Sequence, residues 1–216
     1  MSKTKAGVAA LIALTLPPML AACSREGEIT STGIVTTYTA CPPVAIVAPT
    51  GDITLFDPPQ SRDASAIDVV ATMTNVRSSC DESGEYIVTS ATFDVVARRR
   101  DPRGARDVVV PYYASVVQGG QSVVSKSVTN LVLRFADGQE RASASGQASS
   151  RVLRSAATLP EDIRRQVTRE RRPGDADAAV DPLSDPAVRA AVERAHFEVL
   201  LGFQLTEDQL RYNATR

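Results

Sequence analysis

Tyr86-Ile87-Val88-Thr89-Ser90-Ala91-Thr92-Phe93-Asp94-Val95-Val96-Ala97-Arg98 is the stretch whose reading decides the fold. Ile87, Ala91, Phe93, Val95 and Ala97 fall on one side, with Ser90, Thr92, Asp94 and Arg98 on the other. Side chains of a strand alternate between faces, so this pattern belongs to a strand with one dry and one wet face. The preceding run repeats it, with Ile67, Val69, Ala71 and Met73 set against Asp68, Thr72 and Thr74. Cys80-Asp81-Glu82-Ser83-Gly84 lies between the two runs as a loop tip, which predicts an antiparallel hairpin.

Working outward, further strands are expected over residues 29–38, 44–47, 53–56, 108–117, 122–135 and 139–153. Their residues are rich in Val, Ile and Thr, and turn residues separate them. Gly119-Gly120 suits the positive φ values of a tight hairpin, and Asp137-Gly138 is the strongest hairpin signal in the chain. Ala142, Ala144 and Ala148 around Gly146 leave room for bulky side chains from a facing sheet. Some seven or eight short strands with regular punctuation suggest an antiparallel β-sandwich of immunoglobulin-like type. No Trp lies between Cys41 and Cys80, so an antibody-like domain in the strict sense is excluded.

After Ser155 the period changes. Thr158-x-x-Glu161 has capping-box spacing, which predicts a short helix to about Arg171. An acidic linker, 175–184, follows. Asp185-Pro186 reads as an N-cap with Pro at the first helical position. From Ala187 a helix is expected to about Phe203, and Thr206-x-x-Gln209 would cap a last short one. The expected organisation is a leader at 1–22, a tether at 23–28, a sandwich at 29–156 and a C-terminal helical segment at 157–216.

The first 23 residues carry a separate message. Lys3 and Lys5 precede an apolar run, Gly7 to Leu16, which is too short to span a bilayer as a permanent helix. Pro17-Pro18 breaks it, and Leu20-Ala21-Ala22-Cys23 follows. This resembles the lipobox of bacterial lipoproteins, in which the Cys sulfur takes a diacylglycerol and the leader is cut before it. The resemblance covers only these residues. It implies a lipidated Cys23 and a membrane partner reached through the anchor, since two or more acyl chains attach stably. Ser24, where an Asp would retain an enteric-type lipoprotein at the inner membrane, points by resemblance to the outer membrane, facing the periplasm.

With Cys23 lipidated, Cys41 and Cys80 remain, and in an oxidising compartment two cysteines usually pair. The bridge would contribute roughly 4 kcal/mol by the chain-entropy estimate. A redox pair is the rival reading, but the two lack C-x-x-C spacing. Removing residues 1–22, with two lysines and no acids, takes the formal charge from −1 to −3 and leaves 194 residues. That balance argues against nucleic acid as a partner.

Candidate sites are few. His196, the only histidine, has Glu193 and Glu198 nearby, which is short of the three or four ligands zinc requires. No nucleophile–base pair accompanies it, so no enzyme, cofactor, metal or small-molecule substrate is expected. Arg98, Arg99, Arg100, Arg103 and Arg106 crowd one turn, where they could meet lipid phosphates or peptidoglycan carboxylates, or simply be solvated. Arg164, Arg165, Arg169, Arg171 and Arg172 precede Asp175, Asp177 and Asp181, and pairing or solvation is the default. Phe197, Leu200, Leu201, Phe203 and Leu205 are too many for one helical stripe: they pack across the sandwich or dock on an envelope protein partner. Asn213-Ala214-Thr215 matches a glycosylation sequon by chance. The function expected is a non-enzymatic structural or assembly subunit of the cell envelope, and the alternative is a binding module for glycan or lipid.

Overall fold

The computed structural model describes residues 28–30, 33–35, 39–171 and 174–215. The chain is mainly β. Ten strands are followed in order: β1 (Glu28–Thr30), β2 (Gly33–Val35), β3 (Val44–Ile46), β4 (Asp52–Phe56), β5 (Ile67–Asp81), β6 (Tyr86–Arg99), β7 (Arg106–Gln118), β8 (Ser122–Phe135), β9 (Arg141–Leu153) and β10 (Phe197–Phe203). Four helices lie near the C-terminal end: α1 (Arg154–Ala157), α2 (Glu161–Thr168), α3 (Pro186–Ala195) and α4 (Glu207–Thr215). The single strand expected over 29–38 is instead the short antiparallel pair β1–β2.

Two four-stranded sheets make the body, in the orders β3-β10-β7-β8 and β4-β5-β6-β9. The alternation in β6 is used as the sequence implies. Ile87, Ala91, Phe93, Val95 and Ala97 are buried and join Val110, Tyr112, Leu131, Leu133 and Phe135 of the other sheet in one core. Phe93 meets Tyr112 edge-on across the two layers, ring centroids 5.0 Å apart. Tyr112 then donates from its hydroxyl to the Gln147 carbonyl at 2.7 Å, so the buried phenol is satisfied. Gly146, opposite Phe93 on β9, is what admits that ring: a Cβ there would stand 2.3 Å from Phe93 Cζ.

Two turn expectations part company. Gly119 and Gly120 both take positive φ, 61° and 70°, and close the β7–β8 hairpin. Asp137-Gly138 also forms a turn, but β8 pairs with β7 and β9 pairs with β6, so the chain crosses from one sheet to the other instead of folding back as a hairpin. This crossing is held by Arg99, the largest fully buried side chain, 1 % exposed. Its Nε donates to Gln139 O at 2.8 Å, Nη1 to Gly104 O at 2.8 Å, and Nη2 to both Pro102 O and Ala136 O. The guanidinium lies 5.2 Å from the Phe135 ring centroid. Five N–H donors in a planar fork suit four carbonyls arriving from two loops.

The helix expected over 187–203 ends early. Asp185 accepts from Ala187 N at 2.8 Å and caps α3 as its sequence implies. The helix then stops at Ala195, and the chain becomes β10. β10 lies inside its sheet, parallel to β3 and antiparallel to β7 over seven pairs, Phe197↔Gln118 to Phe203↔Tyr112. Its run is apolar on most sides because it is covered on most sides. Phe197, Val199, Leu201 and Phe203 enter the core, and Gly202 lies on the other face against Thr50 and Tyr113. The C-terminal segment is therefore not separable from residues 29–156, since the sheet contains part of it. Thr206 and Gln209 do form the reciprocal cap of α4. Thr158 does not cap α2; its hydroxyl donates to Arg154 O instead.

Three variants test these assignments by thermal and denaturant unfolding. Gly146→Ala should cost about 1–3 kcal/mol by overpacking against Phe93. Arg99→Ala should cost on the order of 3 kcal/mol or more, because four carbonyls lose their donor in a dry site. Truncation after Ser184 removes β10 and leaves β3 without a strand neighbour. Burial of its four core side chains contributes roughly 1.5–3 kcal/mol each, so the shortened chain should show no cooperative transition. A folded truncation product would overturn the placement of β10.

Candidate functional site

One cleft opens at the end of the molecule where Cys41 and Cys80 meet, with a volume of about 510 Å³. The expected disulfide is present, with Cα atoms 6.1 Å apart. It joins the segment leading into β3 to the far end of β5. Pro42 and Pro43 form one wall of the cleft, Ser78 and Ser79 another, and Phe197 and His196 from the α3–β10 junction a third. Thr89 of β6 lines it too.

His196 is placed by backbone bonds. Its N–H donates to Glu193 O as α3 ends, and its carbonyl accepts from Gly119 N at 2.9 Å. Its Nε2 is 3.0 Å from Glu198 Oε1. The pair is half-exposed and spans the junction of α3 and β10. Among the described residues no three His, Cys, Asp or Glu side chains converge as metal ligands.

Thr89 is the unusual member. It is 2 % exposed, and its Oγ1 has no hydrogen-bond partner. In register it stands between Cys80 on β5 and Ser150 on β9, and the Ser150 hydroxyl is also buried without a partner. Two adjacent hydroxyls on the inner face of a sheet thus have bonds left to make. An unmade bond of this kind costs about 1–3 kcal/mol. Nothing in the surrounding packing requires it, since the other inward positions of β6 from Ile87 to Ala97 are apolar. The signal was in the sequence: Thr89 occupies an inward position of the alternation that opens with Ile87. Arg99 carries the same signal at the other end.

The remaining sequence candidates are dispersed. Cys23 lies outside the described residues. Phe197, Leu201 and Phe203 are buried in the core, Leu200 is half-buried on the opposite face of β10, and Leu205 packs against the core. Their apolar surface is used within the chain, as the packing alternative expects, but in a strand and not in the helix expected there. The basic turn is not a cluster of free cations. Arg99 is buried, Arg98 pairs with Glu140 at 3.2 Å, Arg106 with Asp68 at 2.9 Å and Arg103 with Asp101 at 2.6 Å. Hydrogen bonds from the Arg103 side chain and backbone hold the Asp101 carboxyl well below the usual carboxylate range. In the second basic cluster Arg169 pairs with Asp177 and Arg164 with Glu161. Asn213 donates from its side chain to the carbonyls of Pro49 and Asp52, fixing α4 against the turn before β4.

Comparison with protein-family models, curated proteins and solved structures finds no match for this chain. The site therefore stands on its own geometry.

Thr89→Val tests whether that geometry has the meaning given to it. Removing a buried hydroxyl that bonds nothing should stabilise the domain by about 1 kcal/mol, read as a raised denaturant midpoint at unchanged slope. Destabilisation would show that the hydroxyl is satisfied in the native fold.

Proposed function

We propose that the chain is a lipid-anchored lipoprotein of the bacterial outer membrane, facing the periplasm, and a non-enzymatic structural or assembly subunit of the cell envelope. The lipobox-like Leu20-Ala21-Ala22-Cys23 supports the anchor, and a Cys41–Cys80 disulfide suits an oxidising compartment. The observation that carries the subunit reading is the open side of the molecule. β8 ends its sheet, and from Ser122 to Asn130 it is exposed on both faces. Val123, Val124 and Val128 remain in water there, and so does Val132 just beyond. Folded proteins generally blunt or cover such edges.

An immunoglobulin-like sandwich is the finer fold reading that goes with this proposal. Its support is two facing sheets around one core and a first strand, β3, parallel to the last, β10. The consecutive β4-β5-β6 meander departs from that order. The alternative function, a binding module, is favoured by one observation, the disulfide-side cleft with its unbonded Thr89 hydroxyl. It would suit a small uncharged polar molecule such as a sugar unit, better than the basic turn suits an anion.

Fractionation tests the anchor. Wild-type protein should float with outer-membrane vesicles and incorporate labelled palmitate, whereas Cys23→Ser should do neither and should retain its leader. Mature wild-type protein recovered from the soluble periplasm, beginning elsewhere than Cys23, would overturn the proposal.

A further inference from the structure

β8 and β9 each end a sheet, and the crossing at 136–140 brings both to the same side of the molecule. Away from that crossing the two strands part around a second cleft of about 260 Å³. Ser125 and Ser127 border it on β8, Ser149 and Ser150 on β9, and Val116 and Val199 form its apolar floor. The unbonded Ser150 hydroxyl belongs to this cleft. Charge at the rim has one sign. Lys126 stands on one lip, Nζ 4.8 Å from the Tyr113 ring centroid, and Arg151 on the other, 5.9 Å from that of Tyr86. Among the described residues neither pairs with a carboxylate, and no acid lines the cleft.

From this arrangement we infer that the cleft receives an extended, acidic strand of a partner protein, which adds to the free edge of β8. The inference rests on the subunit reading and names its docking surface. An added strand continues the sheet through its backbone, and alternate side chains then point outward and inward. Outward, apolar side chains lie beside Val128 and Val132, and a carboxylate lies beside Lys126 at cross-strand distance. Inward, small or hydroxylated side chains fill the space above Val116 and Val199 and meet the Ser150 hydroxyl. The occupant therefore reads apolar–acidic–apolar on one face and small or polar on the other. Two rival occupants fit less of this. A phosphate or lipid headgroup would use the cations but leave the strand edge and the valines in water. A second copy pairing through its own β8 supplies no carboxylate, since Ser122 to Phe135 contains no Asp or Glu.

The test uses the full-length protein in intact cells of its source, with a photoreactive residue at Ser127, at Ser149 or, as a control exposed in the turn between β4 and β5, at the far edge of the sheet from β9, at Ser65. Ser127 and Ser149 should capture one and the same segment of one protein, identified by mass spectrometry as an extended stretch containing Asp or Glu. Ser65 should not capture it. Lys126→Glu should cut the yield roughly tenfold and Lys126→Arg should restore it, with melting temperatures unchanged in both. The inference is overturned if either position captures lipid or a second copy, if the two capture unrelated segments or nothing, or if Lys126→Glu has no effect. A partner captured only at Ser65 would retain the subunit reading and remove this surface. No partner at any position, from cells in which palmitate labelling of Cys23 succeeds, would remove both.

Discussion

The fold depends on the two-sided burial of β10. A seven-residue strand near the C-terminus lies between β3 and β7, and among the described residues no other strand pairs with β3. Antiparallel pairing to β7 uses one edge and parallel pairing to β3 the other, so the first and last parts of the body close on each other late in the chain. Parallel neighbours cannot be joined by a tight turn. Here nearly the whole domain serves as the connection. Sheet completion must therefore wait for residues far apart in sequence, which places the chain among slow, high-contact-order folds.

Arg99 solves a related difficulty at the opposite end of the sheets. Two loops, 100–105 and 136–140, pass close together where the chain leaves β6 and where it crosses from β8 to β9. Their carbonyls would be buried without donors if an apolar residue stood at position 99. One guanidinium replaces four separate donors and stacks beside Phe135, so polar satisfaction and core packing come from a single side chain. Its hydrogen bonds all go to peptide carbonyls, which ties its placement to loop geometry, and its charge also acts on the nearby Asp101 carboxyl.

Much of this was legible in the sequence, and the exceptions have physical causes. Strict alternation located β5 and β6, because a half-wet sheet writes its period into the residues. Asp185 and the Thr206–Gln209 pair announced helix starts, because caps are local chemistry. β10 was not legible, because a short run covered on both faces has no polar side from which to read a period. Asp137-Gly138 specifies that the chain turns, but not into which sheet it goes; Arg99 and its carbonyls decide that. Of the candidate cleft, Cys41, Cys80, His196 and Phe197 were legible as single residues but not as neighbours, and Thr89 shows in the sequence as a hydroxyl at a position where its neighbours are apolar. The walls of the cleft come from segments as far apart in the chain as Thr39 and Phe197, which no spacing brings together.

The disulfide has a mechanical consequence. Cys41 precedes β3 by only Pro42 and Pro43, and its partner lies at the end of β5, in the other sheet. Tension applied to the chain N-terminal to Cys41 therefore enters the body at a covalent bond and is carried into a fifteen-residue strand paired on both sides. The three-residue β3 would otherwise be the first element to bear that load, and it would peel from β10 one hydrogen bond at a time. The bridge places β3 behind the point of attachment, so tension that reaches Cys41 must shear the long ladders of β5 before it can unzip β3, whereas β1–β2 lies on the N-terminal side of the bridge and is not shielded.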